Sequence, residues 1–194
     1  MKKDPLDSAY SDSRPLGRKF ARAGFTLLEL LIGIGIVAML LAITVPVVSR
    51  ARAAAKQATC INNLRQLAGA FHMYAQQNDG LLPEPSATML SWESSLLPFT
   101  TTSAVFMCPS DSELFPAVGS SYDWRDTENS TTTLAGISIT TPRRSSLVLV
   151  FESLPGWHLP NRINAAALDG SATDMDYKAC MRDLETDNSV VLPP

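Results

Sequence analysis

Three groups of residues carry side chains with chemical potential. The first is a single acid, Glu29, placed five residues into the otherwise apolar run "GFTLLELLIGIGIVAMLLAITVPVV", Gly24 to Val48. An ionised carboxylate in a bilayer costs about 2.5–3.5 kcal/mol at the centre of a helix, and less near the interface, so such an acid calls for a cation. The second group is His158 with Asp169 and Gly170 in "HLPNRINAAALDG", continued by Asp174 and Asp176 in "DGSATDMD". A triad can be drawn from His158, Asp169 and one of many serines. No G-x-S-x-G elbow supports it, so no catalytic residue is assigned. Asp169, Asp174 and Asp176 are oxygen donors of the kind calcium takes, but Gly170 directly after the first acid breaks the EF-hand spacing, and a solvated turn is the expectation. The third group is Cys60, Cys108 and Cys180, which permits one intramolecular bridge and leaves one thiol over. We take Cys60–Cys108 as the expected pair; three unpaired buried thiols stay open, because a sequence carries no distances. No cofactor and no metal is expected.

The elements that must hold these residues follow from the patterning of 194 residues, 45% of them hydrophobic and 18% charged. From Phe25 to Val48 the chain has 24 residues with one charge. At about 1.5 Å per residue that is enough to cross a hydrocarbon core of about 30 Å. The run is longer than the 7–15 residues of an ordinary secretory signal, although "ARA" at 51–53 resembles a small-x-small cut site. Residues 1–24 hold six bases against three acids and the remainder ten against sixteen, a basic head on an acidic body. The scattered bases of the body argue against a nucleic-acid surface. Arg and Lys flank both ends of the span, so charge alone leaves orientation tied. A long following domain translocates largely regardless of such charge, which favours the N-terminus inside and the body outside.

Beyond the span, Ala54, Ala58, Ile61, Leu64, Ala68, Phe71 and Ala75 recur at spacings of three and four, one apolar stripe on a continuing helix. His72, on the same helix, reads as packing or surface rather than a ligand. Asn78, Asp79 and Gly80 supply the stop. Pro46 is expected to kink the helix, and Gly33 and Gly35 to permit close approach or simply to be tolerated. After Pro85 the pieces are short. "WESSLLPF" reads as one or two helical turns, and "AVFMC", "GISIT", "SLVLVFES" and "INAAALDG" as strands, the last running into an Asp169-Gly170 turn that is expected to join it to a further strand. The tail after Asp183 reads as frayed. The fold class is α+β: a long N-terminal helix packed on a small antiparallel sheet. Its expected divisions are a leader over 1–24, a membrane or assembly helix over 25–48, an amphipathic continuation over 49–80 and a head over 81–194.

A basic leader ending in Gly24, then Phe25, Thr26, Leu27, Leu28, Glu29 and a long apolar helix, resembles the processing signature of type IV pilins and type II secretion pseudopilins. The resemblance implies a prepilin peptidase cutting between Gly24 and Phe25 on the cytoplasmic side, then N-methylation of Phe25. Gly24 suits the cut because a residue without a side chain enters a narrow site in any backbone conformation. It also implies that Glu29 meets the terminal amine of an adjacent subunit, making a compensated pair of two charges costly alone. The implied partners are other copies, other pilin-like subunits, the peptidase, an inner-membrane assembly platform and lipid. The implied location is the bacterial inner membrane, single-pass, with a periplasmic head. Whether the fibre is a type II secretion pseudopilus or a type IV pilus stays open. A looser resemblance covers "CINNLRQLAGAFHMYAQQNDGLLPE", "FMCPSD", "SSLVLVFES" and His158 with Asp169-Gly170. These resemble planctomycete-type pilin-like proteins with a C-terminal His-to-Asp-Gly domain, whose pattern spaces the two by nine residues where ten stand here. The resemblance carries a structural role for this motif, with His158 bonded near the sheet edge. The rival reading is an uncleaved, signal-anchored periplasmic binding or enzymatic domain.

Overall fold

The computed structural model describes residues 24–84, 91–125, 134–140 and 145–185. The expected leader up to residue 23 and the tail beyond residue 185 lie outside them. The chain divides into two units at Thr44/Val45. In the first, residues 24–26 lead into helix α1 (Leu27–Gln77), and every residue from 24 to 44 is exposed. Phe25 and Leu27 are each 86% accessible, an arrangement that water does not favour and lipid or other apolar partners do. The helix begins on a reciprocal cap. Thr26 Oγ1 accepts the Glu29 backbone N–H (3.2 Å), and Glu29 Oε2 accepts from both the Thr26 N–H and its hydroxyl (3.2 Å each). This Thr-x-x-Glu capping box satisfies donors that the first helical turn leaves orphaned. α1 passes through Pro46 without a break in its assignment.

In the second unit α1 turns from exposed to buried at Cys60. Leu64, Leu67, Ala68, Ala70, Phe71 and Ala75 are buried, while Ala54 and Ala58 of the expected stripe stay exposed. Gly80, at φ +80°, donates its N–H to the Ala75 carbonyl (2.8 Å) and ends the helix. Helix α2 (Trp92–Leu96) and a 3-10 turn (Leu97–Phe99) fulfil the reading of "WESSLLPF".

Four antiparallel strands follow in the order β1 (Tyr122–Trp124), β2 (Val148–Glu152), β3 (Arg162–Ala167), β4 (Ala172–Asp176). Every residue of β2 is buried, which explains its continuous apolar run. A bulge between Val148 and Val150 aims Leu149 and Val150 to the same side. That side meets α1 through Phe71, Trp124, Ala166 and Leu168. The other side is closed by helix α4 (Tyr177–Glu185), where Cys180 and Leu184 pack with Val148, Phe151, Ile163 and Ala165. The second unit is therefore three layers, helix, sheet and helix.

Two expected strands are corrected. "AVFMC" falls in a 3-10 helix (Ser103–Phe106), because the Thr102 hydroxyl accepts the Ala104 N–H (3.3 Å) and starts a turn there. "GISIT" is a series of turns with a single bridge, Leu81 to Ser138. Gly136 at φ +67° interrupts it, and a Cβ there would stand 2.5 Å from a Glu84 carboxylate oxygen. β4 is the second strand that the Asp-Gly turn was expected to join, whereas β1, α4 and the short helix α3 (Leu114–Val118) were not expected.

Candidate functional site

The Asp-Gly motif forms the β3–β4 hairpin. Gly170 has φ +83° and donates to Ala167 O (2.9 Å), while Asp169 Oδ1 accepts the Ser171 N–H (2.9 Å). The Ser171 side chain and backbone hold the Asp169 carboxyl below its ordinary range. α1 grips this hairpin by two side chains: His72 Nε2 meets the Leu168 carbonyl at 2.7 Å, and Arg65 donates to the Ala172 carbonyl at 3.0 Å. Of the other acids, Asp174 pairs with Arg162, and Asp176 Oδ1 accepts the Ala179 N–H (3.1 Å) at the start of α4. Each of the three acids thus has its own partner.

His158 lies elsewhere. The exposed turn after β2 carries it back over the end of that strand, an inner one rather than the sheet edge. Its Nε2 is 3.2 Å from Glu152 Oε1 and 3.3 Å from Cys108 Sγ, and its Nδ1 is 3.4 Å from Ser110 Oγ. Cys108 is bridged to Cys60 of α1, with Cα atoms 5.3 Å apart. Glu152 is 1% accessible and is fixed by Asn164, whose N–H bonds Oε2 and whose Nδ2 bonds Oε1, both at 2.9 Å. One point in the head thus gathers Cys60, Cys108, Glu152 and His158, their donor atoms all within 4.8 Å of one another.

The supports of this cluster are polar contacts to loops. Asn63, one turn along α1 from Cys60, donates to the Met107 carbonyl (2.9 Å), next to Cys108. The Cys108 N–H donates to Ser121 Oγ (3.0 Å), whose hydroxyl donates to Asp111 (2.6 Å). Asp111 also accepts the N–H groups of Glu113, Leu114 and Phe115, each at 2.8 Å, which makes it the cap of α3. Partial burial pushes its carboxyl up, but the Ser121 hydroxyl and the three N–H groups outweigh it and the net direction is down. The third cysteine, Cys180, is buried against the far side of the sheet. Burial, helped by the nearby Asp183 charge, pushes its thiol up to about 12. It is a packing residue without thiolate character.

Glu152 escaped the sequence reading, although a lone acid closing an apolar strand was a visible signal. Asp111, in "CPSD", escaped it too. At the other end of the chain, Gly24 and Phe25 stand exposed ahead of α1, and Glu29 is engaged by Thr26. α1 over this region is long and apolar enough to cross a membrane, by length and composition.

Residues 19–45 match the prokaryotic N-terminal methylation motif, which is consistent with the type IV pilin-like superfamily. No curated protein and no solved structure matches the chain significantly. The motif and the apolar helix fit a single-pass, membrane-anchored protein.

Proposed function

We propose that this chain is a pilin-like structural subunit. A prepilin peptidase cuts it between Gly24 and Phe25, Phe25 is N-methylated, and the product assembles through α1 into a type IV pilus or type II secretion pseudopilus. The observation that carries the reading is the methylation motif over residues 19–45, laid on a helix whose first 21 described residues of chain are all exposed. In the precursor that surface is covered by lipid, with the leader in the cytoplasm and the head in the periplasm. In a fibre it is covered by other copies and other pilin-like subunits, a swap nearly neutral in hydrophobic terms. A polar pair then selects the register: Glu29 of one copy with the terminal amine that cleavage exposes on Phe25 of its neighbour. The partners are the peptidase, an inner-membrane assembly platform and lipid, and the work is self-association.

The direct test is the mass of the mature chain from its native membrane. We expect it to begin at Phe25 and carry one added methyl group. Gly24→Leu is expected to leave the full-length precursor in the membrane. A mature chain that still carries Met1 and its leader, and that yields no ladder of homo-oligomers on crosslinking, overturns the reading in favour of an uncleaved anchored domain.

A further inference from the structure

A structural disulfide is satisfied by its own two sulfurs. Here two further ligand-type groups are driven against it at considerable cost: a carboxylate, Glu152, at 1% accessibility, and an imidazole, His158, whose side chain is 5% accessible. Both are aimed inward. Ser110 Oγ faces His158 Nδ1 and directs Nε2 at Cys108, while Asn164 spends both its donors on Glu152 and leaves its own Oδ1 without a hydrogen-bond partner. The centre therefore gathers ligand-type atoms: two sulfurs, a carboxylate oxygen and an imidazole nitrogen. A hydrogen-bond partner on the far nitrogen of the imidazole is what metal-ligating histidines have.

The distances fit a tetrahedral ion. With bonds of about 2.3 Å to sulfur and about 2.0–2.2 Å to nitrogen or oxygen, ligand atoms on a tetrahedron stand about 3.3–3.8 Å apart. The three edges that do not involve Cys60 already measure 3.2 Å (His158–Glu152), 3.3 Å (His158–Cys108) and 3.8 Å (Glu152–Cys108). The two sulfurs, bonded to each other, must part, and all four donor atoms already lie within 4.8 Å of one another.

We propose that Cys60, Cys108, Glu152 and His158 form a redox-gated site that, with the bridge reduced, binds one thiophilic divalent cation of the zinc type. The reduced site offers two thiolates, one imidazole and one carboxylate, a net charge of minus one once a divalent ion is bound. Oxidation expels the ion. The two thiolates give two electrons to a disulfide donor, the Cys60–Cys108 bond forms, the donor's sulfur–sulfur bond breaks and takes up two protons as two thiols, and the cation leaves. In this way a chain can keep its head closed both before and after it meets an oxidising compartment. The inference rests on the head alone and is independent of the fibre reading.

The test uses the full chain in detergent, reduced without oxygen and titrated with Co²⁺ or Zn²⁺. We expect one metal per chain by elemental analysis. We also expect the strong visible bands of tetrahedral cobalt with a thiolate-to-metal charge-transfer band, and neither with the oxidised chain. Glutathione disulfide is expected to release the metal as the bridge reforms. Glu152→Gln and His158→Ala should weaken binding by 100-fold or more, and Ser110→Ala, which leaves every ligand in place, by about 10-fold. A reduced chain that takes up no metal overturns the proposal, as does cobalt without a thiolate band. Affinity unmoved by Glu152→Gln and His158→Ala overturns it as well, and since Ser110→Ala leaves the four ligands untouched, that variant separates a lost site from a lost fold.

Discussion

Glu29 does two jobs that one substitution can separate. In the single chain its carboxylate closes the capping box with Thr26; in the proposed fibre its charge meets a neighbour's amine. Gln fills the same place in a capping box but carries no charge. Glu29→Gln is therefore expected to keep the helix start and membrane insertion yet fall in fibre incorporation about as far as Glu29→Ala, measured by crosslinking. Incorporation of the Gln variant at the wild-type level would assign the acid to capping alone. Asp111 offers a second test at this scale. Its folded carboxyl titrates below the ordinary range, so its contribution is present at neutral pH and above about pH 4, and is lost as pH falls through the lower folded value. Asp111→Ala should cost about 1 kcal/mol at pH 7. The gap from wild type in urea unfolding should close in acid; a gap that persists at pH 2 would mean that packing, not the charge, is lost.

Among the elements, α4 depends on one buried pair. Arg125, wholly buried after β1, reaches Asp183 at 3.1 Å, and Asp183 also accepts the Val148 N–H of β2 at 2.9 Å. Asp183→Ala takes the carboxylate away from this buried guanidinium and should destabilise the head by about 3–5 kcal/mol. Urea denaturation followed by tryptophan fluorescence measures this, and a loss under 1 kcal/mol would show the pair to be replaceable by water. α1 and β2 were legible beforehand because their periodicity and apolar run came from burial itself. β4 was legible only as the partner strand that the Asp-Gly turn calls for: its own sequence, "ATDMD", puts acids where alternation was needed and gave no bounds. α4 was hidden for a related reason, since its short amphipathic pattern resembles a polar tail until the sheet supplies a face for it. The processing residues were legible as spacing in a contiguous motif. The cluster around His158 was only half legible, because its members are 48, 44 and 6 residues apart in order along the chain and only the fold brings Glu152 into view.

For the molecule as a whole, the Cys60–Cys108 bridge closes a loop with a sequence separation of 48, joining the long helix to the segment that leads into the sheet. Chain entropy gives such a link roughly 4 kcal/mol, less whatever the unfolded chain retains of that closure. Reduction by a strong thiol should lower the urea midpoint of the head accordingly, with no change when Cys180 alone is replaced by Ser at its buried position beyond the cost of that substitution. An unchanged midpoint on reduction would mean that the surrounding packing already holds the segment.

Covering both broad faces of the sheet also settles what the head can offer to a visitor. With α1 against one side and α4 against the other, neither broad face of the sheet is open among the described residues. The outer rim at β4 carries Thr173, Asp174 and Asp176. Carboxylates along an edge strand discourage another strand from zipping on, so in the proposed fibre neighbouring heads are expected to meet there without fusing into a continuous sheet.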